Sequence, residues 1–311
     1  MTVTVLFAAP EDNWDAYEAP LRTAFAETGI DARLVRDAAP EAVDYMVYAP
    51  GGAVQDFRPY TRLRAVLNLW AGVENIVTND TLTAPLARMV DEGLTEGMVE
   101  WVTGHVLRHH LGMDRHILGQ DGIWRSGTVP PLARDRTIGM LGLGELGGAC
   151  GQALARLNFN VMGWARSQKS IAGLDCRAGA DGLDAVLSAA EIVVLLLPLT
   201  DATENLMNAA RIARLPAGAV IVNPGRGPLI DDAALLAALD TGQVGHATLD
   251  VFREEPLPPA HPFWAHPKVT VTPHIASETR PKSAARVIAE NIRRGEAGEP
   301  LLHLVDTAAG Y

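Results

Sequence analysis

The stretch Thr137-Ile138-Gly139-Met140-Leu141-Gly142-Leu143-Gly144-Glu145-Leu146-Gly147 decides the fold. An apolar strand runs into a G-x-G-x-x-G loop, and the Ala-rich run Ala149 to Leu157 continues the loop as a helix. A glycine triplet alone is a weak signal. Between a strand and a helix it is a strong one, because glycines let backbone N–H groups approach a pyrophosphate held at the helix N-terminus. Gly142, Gly144, Glu145, Leu146 and Gly147 are therefore candidate cofactor-binding residues. Glu145 brings a carboxylate to that place, but a helix N-terminus favours negative charge, and its side chain is expected to point to water.

A NAD site carries an acid about 20 residues further on, for the ribose hydroxyls. Here that position reads Trp164-Ala165-Arg166-Ser167-Gln168-Lys169, which contains no acid. Arg166 with Ser167, assisted by Lys169, suits a 2′-phosphate instead, since a guanidinium presents a planar donor fork to phosphate oxygens. NADPH is predicted over NADH.

Outward from the loop, strands and helices alternate: Thr137 to Leu141, Ala149 to Leu157, Asn160 to Trp164, Ala185 to Ser188, Ile192 to Leu197, Ala219 to Val222, Asp232 to Leu239, Ala247 to Val251 and Val269 to Val271. Continuously apolar strands in such an alternation imply a doubly wound parallel sheet, covered on both faces, in an α/β fold. Upstream, the strand Thr2 to Ala8 precedes a helix from about Asp12 to Thr28 that Gly29 stops. Short apolar runs at Arg33 to Val35, Tyr45 to Tyr48 and Ala65 to Leu69 suit a second, smaller parallel sheet, with a turn at Pro50-Gly51-Gly52. Glu96 to Leu118 has apolar residues spaced by three or four and is expected to be one long helix crossing between domains. The last helix, Lys282 to Arg294, is expected to return to the first domain.

Composition agrees with two domains. The chain has 311 residues, 48% of them hydrophobic and 20% charged, enough to bury sizeable cores. Lys and Arg number 26 against 37 Asp and Glu, a net charge of −11 that disfavours nucleic acid and anionic membrane. Cys150 and Cys176 cannot form a disulfide framework, which fits a reducing cytoplasm. The start, Met1 to Pro10, has no basic stretch followed by a long apolar run, and no membrane span or export signal is expected.

Ligands of a doubly wound sheet collect beyond the carboxyl ends of its strands. The residues there are Pro198-Leu199-Thr200, Asn223-Pro224-Gly225-Arg226-Gly227, Asp250 with Glu254-Glu255-Pro256, and Thr272-Pro273-His274. An arginine, a carboxylate and a histidine thus follow three successive strands, a set suited to reducing a 2-oxo acid. Arg226 can bind the substrate carboxylate and polarise the carbonyl, while His274 as imidazolium gives the proton that accompanies hydride delivery. Glu255, hydrogen-bonded to His274, would orient the ring and favour its cation.

Together these motifs resemble the D-isomer-specific 2-hydroxyacid dehydrogenase family, and within it the glyoxylate/hydroxypyruvate reductase A type. The resemblance runs over almost the whole length, through Ala71-Gly72-Val73-Glu74, GLGELG (142–147), LPLT (197–200), NPGRG (223–227), LDVFREEPLP (249–258), VTPH (271–274) and Gly310-Tyr311. It implies a Rossmann-type dinucleotide-binding domain over 99–283 and a smaller flavodoxin-like substrate domain over 1–98, joined by 284–311. It implies that Arg226, Glu255 and His274 are the catalytic set and that Trp70, Ala71, Gly72 and Val73 form the substrate loop, whose backbone N–H groups hold the carboxylate. Leu197, Pro198, Leu199, Thr200, Pro224 and Gly225 would line the cofactor, with Asp250 facing the nicotinamide carboxamide. Catalysis would require the domains to close, and a homodimer through the cofactor domains is implied, with Trp124 extending toward the neighbouring site. Three positions depart from the pattern. Trp70 replaces a common glycine and narrows the pocket toward small substrates. Gly225 replaces a common alanine and is expected to loosen its loop. Glu145 replaces an arginine against the pyrophosphate.

Other readings are weaker. His105 and His109, with His110 and His116 nearby, raise a metal site, but the H-E-x-x-H glutamate and any Cys pair are missing, so no metal is expected and the stripe is taken as solvated or interfacial. No G-x-S-x-G elbow supports a serine hydrolase. A cofactor-sensing binding protein on the same fold is the alternative of another class; within the enzyme class, it is a reductase of bulkier 2-oxo acids such as phenylpyruvate.

Overall fold

The computed structural model of the chain describes residues 2–124, 126–127, 129–307 and 310; Met1 and Tyr311 lie outside the described residues. The chain divides into two compact units, Met1–Leu94 with Glu278–Tyr311, and Thr95–Ser277. The divisions expected at 98/99 and 283/284 thus fall at 94/95 and 277/278. The whole C-terminal helix, Pro281–Ala297, belongs to the first unit.

In the first unit, β1 (Val3–Ala8), β2 (Ala32–Val35), β3 (Tyr45–Tyr48), β4 (Ala65–Asn68) and β5 (Leu86–Ala87) form a parallel sheet in the order β2-β1-β3-β4-β5. That is the flavodoxin-like order. The central strands β1, β3 and β4 are buried at every residue, which explains their largely apolar sequence, with Thr4 and Asn68 the buried polar exceptions. Helix α1 (Trp14–Glu27) stops before Gly29, whose φ of 71° lies in the left-handed region. Tyr17, Leu21 and Phe25 of α1 share one core with Ala284, Ala285, Ile288 and Ile292 of the C-terminal helix, both sets at helical spacing.

In the second unit, β6 (Thr137–Leu141), β7 (Asn160–Ala165), β8 (Asp175–Ala178), β9 (Ile192–Leu195), β10 (Ala219–Asn223), β11 (Val244–Leu249) and β12 (Val269–Val271) are parallel in the order β12-β11-β10-β9-β6-β7-β8. This is the Rossmann order extended by one strand, and the order reverses between β6 and β9. Ligands of such sheets bind at the carboxyl ends beside that reversal, where the glycine loop lies.

The long helix expected over Glu96 to Leu118 is two helices, α2 (Glu92–His110) and α3 (Met113–Ile117). Gly112 breaks the run with φ 60°, a conformation that costs glycine little and other residues more. Nor is the histidine stripe solvated as a whole. His110 is 6% exposed and meets the Phe159 ring edge to face at 4.9 Å. His109 hydrogen-bonds Thr248 Oγ1 at 2.8 Å, and its ring lies 4.9 Å from that of His246, which bonds Thr270 Oγ1 at 2.9 Å. Arg108 reaches the same Thr270 hydroxyl and pairs with Asp114. Only His116 of the four is exposed.

Burial is the main reason His109 falls from the ordinary 6.5 to about 3, with the neighbouring His246 and Arg108 adding to it. Burial and then Arg108 bring His246 to about 4. Both rings are therefore neutral in the fold, whereas the unfolded chain takes up these protons near pH 6.5. Unfolding gains protons, so stability falls as the pH drops from about 6.5 toward 4, by about 2 kcal/mol per histidine at pH 5. Urea unfolding at pH 7.5 and 5 checks this: the His109→Gln/His246→Gln double variant should show a smaller loss than the parent, and equal losses would clear these histidines.

Candidate active site

The site is built from loops at the carboxyl ends of neighbouring strands in the second unit. The loop after β6 comes first. Gly142 has φ 107°, and a Cβ there would meet Leu196 O at 2.3 Å; one on Gly147 would meet Gly142 O at 1.9 Å. One on Gly144 would meet nothing within 4 Å. The first and third glycines thus make the tight turn and the close helix–strand approach, and the second leaves backbone open where a pyrophosphate would lie. Helix α4 (Glu145–Arg156) begins there with no side-chain cap, so its first-turn amides remain available to an anion. Leu143 is buried under this loop, and Glu145 is exposed. These residues fit a dinucleotide.

Gly142 N donates to Trp164 O at 2.9 Å, which ties the loop to the end of β7. Arg166, Ser167 and Lys169 follow that strand and are all exposed. After β9, Leu197 to Thr200 form a turn that Thr203 fastens, its Oγ1 donating to Pro198 O at 2.7 Å and accepting from Thr200 N at 2.8 Å.

The next three strand ends are stitched to one another. Asn223, 1% exposed at the end of β10, donates from Nδ2 to Arg226 O and accepts from Gly225 N at Oδ1. Arg226 Nη1 donates to Gly225 O at 2.7 Å. Asp250 N donates to Asn223 O, and His274 N donates to Asp250 O at 2.8 Å. The Asp250 carboxylate, 1% exposed, accepts from Thr272 Oγ1 (2.6 Å), Ile275 N (2.9 Å) and Ala276 N (2.9 Å). These bonds hold His274 at φ 54°, a region non-glycine residues seldom occupy and one that recurs at functional sites. Its Nδ1 meets Glu255 Oε2 at 2.7 Å, and Glu255 Oε1 accepts from Phe252 N at 2.8 Å. Side-chain exposures of 52% for His274 and 35% for Glu255 leave the pair open to a ligand.

The geometry thus joins Glu255 and His274 directly and ties Arg226 to them through Asn223 and Asp250. Gly225 does not loosen its loop. It is buried, and a Cβ there would meet Leu195 O at 2.7 Å, so the backbone approach itself calls for glycine. Trp70, Ala71, Gly72 and Val73 follow β4 in the first unit; Trp70 is 42% exposed and Val73 is buried. Trp124 is 90% exposed. Among the described residues no group of three or more His, Cys, Asp or Glu side chains is placed to hold a metal ion.

Residues 103–276 match the family model described as D-isomer specific 2-hydroxyacid dehydrogenase, NAD binding domain. The chain belongs to that dehydrogenase family. It is 42% identical over 259 residues to the glyoxylate/hydroxypyruvate reductase A of Serratia proteamaculans (strain 568), covering 80% of this chain and 82% of that one. Among solved structures it resembles the D-isomer specific 2-hydroxyacid dehydrogenase of Xanthobacter autotrophicus Py2 in complex with NADPH and MES, at 40% identity and a TM-score of 0.93 over the whole of both chains. It also resembles the NADPH-dependent glyoxylate/hydroxypyruvate reductase of Sinorhizobium meliloti in complex with NADP and sulfate, at 35% identity and a TM-score of 0.85, covering 99% of this chain and 100% of that one.

Sequence reasoning missed the supports of the candidate site. Asn223, Thr272 and Thr203 touch no expected ligand group, yet they fix the loops that carry Arg226, His274 and Thr200. For Asn223 and Thr272 the one signal is a polar side chain at the end of an apolar strand or just after it; Thr203, eight residues beyond β9, carries none. Asp250 is the strongest support: Asp250→Ala would leave the buried N–H of Ala276 and the half-buried N–H of Ile275 without their acceptor and should cost about 3 kcal/mol of stability. Denaturant titration measures this, and a loss below about 1 kcal/mol would show that the loop holds itself.

Proposed function

We propose that this dehydrogenase reduces glyoxylate and hydroxypyruvate with NADPH, giving glycolate and D-glycerate. The bond of 2.7 Å between Glu255 and His274 carries the reading, because Nδ1–H donates to the carboxylate and leaves His274 Nε2 as the atom that can give or take a proton at the carboxyl end of the sheet. Relatives named glyoxylate/hydroxypyruvate reductase A support the substrate class. Exposed Arg166, Ser167 and Lys169 at the end of β7, and relatives whose structures hold NADPH or NADP, support the cofactor.

When bound, the reduced nicotinamide supplies the hydride. His274 as imidazolium gives a proton from Nε2 to the carbonyl oxygen as its negative charge develops, and Glu255 holds Nδ1 and stabilises the cation. Arg226 binds the substrate carboxylate and polarises the carbonyl. The amides of Ala71, Gly72 and Val73 are further carboxylate donors, and Trp70 limits the size of the substituent. Asp250 faces the carboxamide in this assignment, with the acceptor capacity left after its three loop bonds.

The functional unit is a homodimer. Leu111, Ile117, Leu118, Ile123, Trp124 and Val129, from 43% to 90% exposed, form an apolar run that a second copy would cover. Light scattering should give twice the chain mass of 33.2 kDa, and a monomer at micromolar concentration would refute it. Among the described residues no helix is long and apolar enough to cross a membrane. A cytoplasmic place is proposed on the two free cysteines, Cys150 and Cys176.

A spectrophotometric panel of 2-oxo acids with both reduced nicotinamides tests the activity. Glyoxylate and hydroxypyruvate should show higher kcat/KM than phenylpyruvate, and NADPH higher than NADH; the reverse orders would overturn the substrate and cofactor assignments respectively. Binding of NADPH without turnover of any 2-oxo acid would favour the sensor. His274→Ala should lower kcat by about 100-fold to 10,000-fold with NADPH binding kept, and Arg226→Ala should affect KM and kcat together. Unchanged turnover would remove either residue from the mechanism.

A further inference from the structure

We infer that Asn68, the last residue of β4, is the positioning residue that aims the substrate-loop amides. The inference rests on the reading of residues 71–73 as carboxylate donors. Asn68 is 1% exposed in an otherwise apolar strand. Its Nδ2 donates to Trp70 O at 2.8 Å and to Gly72 O at 2.9 Å. Two carbonyl acceptors fix which end of the amide is nitrogen, since the flipped group would set oxygen against oxygen.

The consequence follows from peptide geometry. In a planar trans peptide the C=O and the N–H point in opposite directions. Drawing Trp70 O and Gly72 O toward one buried amide therefore turns the N–H groups of Ala71 and Val73 the other way, both to the same side. Met89 N adds a bond to Trp70 O at 3.0 Å and holds the first of these peptides from a second direction. Among the described residues, the amides of Ala71, Gly72 and Val73 donate to no protein acceptor. Parallel amides of this kind form an anion-binding nest.

Asn68 Oδ1 is buried without a hydrogen-bond partner. A residue kept only to fill space would avoid that cost, which an apolar side chain of similar size does not incur. The useful half of this side chain is its two N–H bonds, and both go to the loop.

Kinetics of Asn68→Ala and Asn68→Asp test the assignment. Alanine frees both peptides, and aspartate places acceptors against acceptors. For Asn68→Ala the KM for glyoxylate and the Ki for oxalate, a carboxylate probe, should rise together by about tenfold, with kcat within about threefold and the KM for NADPH unchanged; Asn68→Asp should be worse. Asn68→Ser, which keeps one donor, should lie between parent and alanine, and it carries the test if the other variants fail to fold. A purely structural residue would lower Tm and leave the substrate KM and the oxalate Ki unmoved, and that result overturns the inference. A parent enzyme that neither turns over glyoxylate nor binds oxalate overturns the carboxylate reading itself and the inference with it.

Discussion

The carboxyl-end loops after β10, β11 and β12 depend on one buried carboxylate. Asp250 accepts a hydroxyl and two backbone N–H groups from the segment after β12, while its own N–H and C=O join β10 to His274. Parallel strands end with free backbone groups, and neighbouring loops would otherwise fray independently. A charged acceptor gathers three donors where a neutral one would gather fewer, and bonds to it are stronger. His274 can hold a positive φ for the same reason, because these bonds over-determine its backbone.

Glycine plays the complementary part, permitting approaches that side chains would block. Gly142, Gly147 and Gly225 each bring backbone to backbone where a Cβ would lie 2.7 Å or less from a carbonyl oxygen, and Gly227 does so against Phe252. They pack the loops after β6 and β10 against the end of β9, and the loop after β10 also against the segment after β11, while Gly144 alone of the triplet is left open to a ligand. Close packing and an open cradle thus come from the same residue type, told apart only by what surrounds each Cβ position.

How far the sequence could be read follows from these local facts. Strands buried on both faces, such as β1, β6 and β9, carry continuous apolar runs and were legible. The edge strand β8 reads Asp-Cys-Arg-Ala, and β5 has only two residues, so neither carries a period. The break at Gly112 was invisible because apolar spacing persists across it into α3. The strand-end placement of Arg226, Glu255 and His274 was legible, because each closely follows an apolar run, and the fold brings their loops together. The supporting roles of Asn223, Asn68 and Thr203 were not, since a lone polar residue at or beyond a strand end does not say which loop atom it will bond. The histidines of α2 misled because polarity suggests solvent, whereas His109 and His110 find a hydroxyl and an aromatic edge inside the unit.

Electrostatics then decides how a chain of net charge −11 can hold anionic ligands. Beyond about 8 Å the solvent screens that charge at physiological ionic strength, so the field at the site is set by what lies within one such length. In the second unit the donors at the strand ends are Arg166 and Lys169 after β7, the uncapped amides of α4, and Arg226 after β10. The amides are backbone dipoles fixed by the fold, which need no reorganisation when charge arrives. Two carboxylates there already hold donors of the protein: Asp250 three from its loop, and Glu255 those of His274 and Phe252; Glu145 at the start of α4 is exposed to solvent. An acidic chain can thus offer donors to an anion locally, because Asp250 and Glu255 carry partners of their own and Glu145 faces water, where its field is screened.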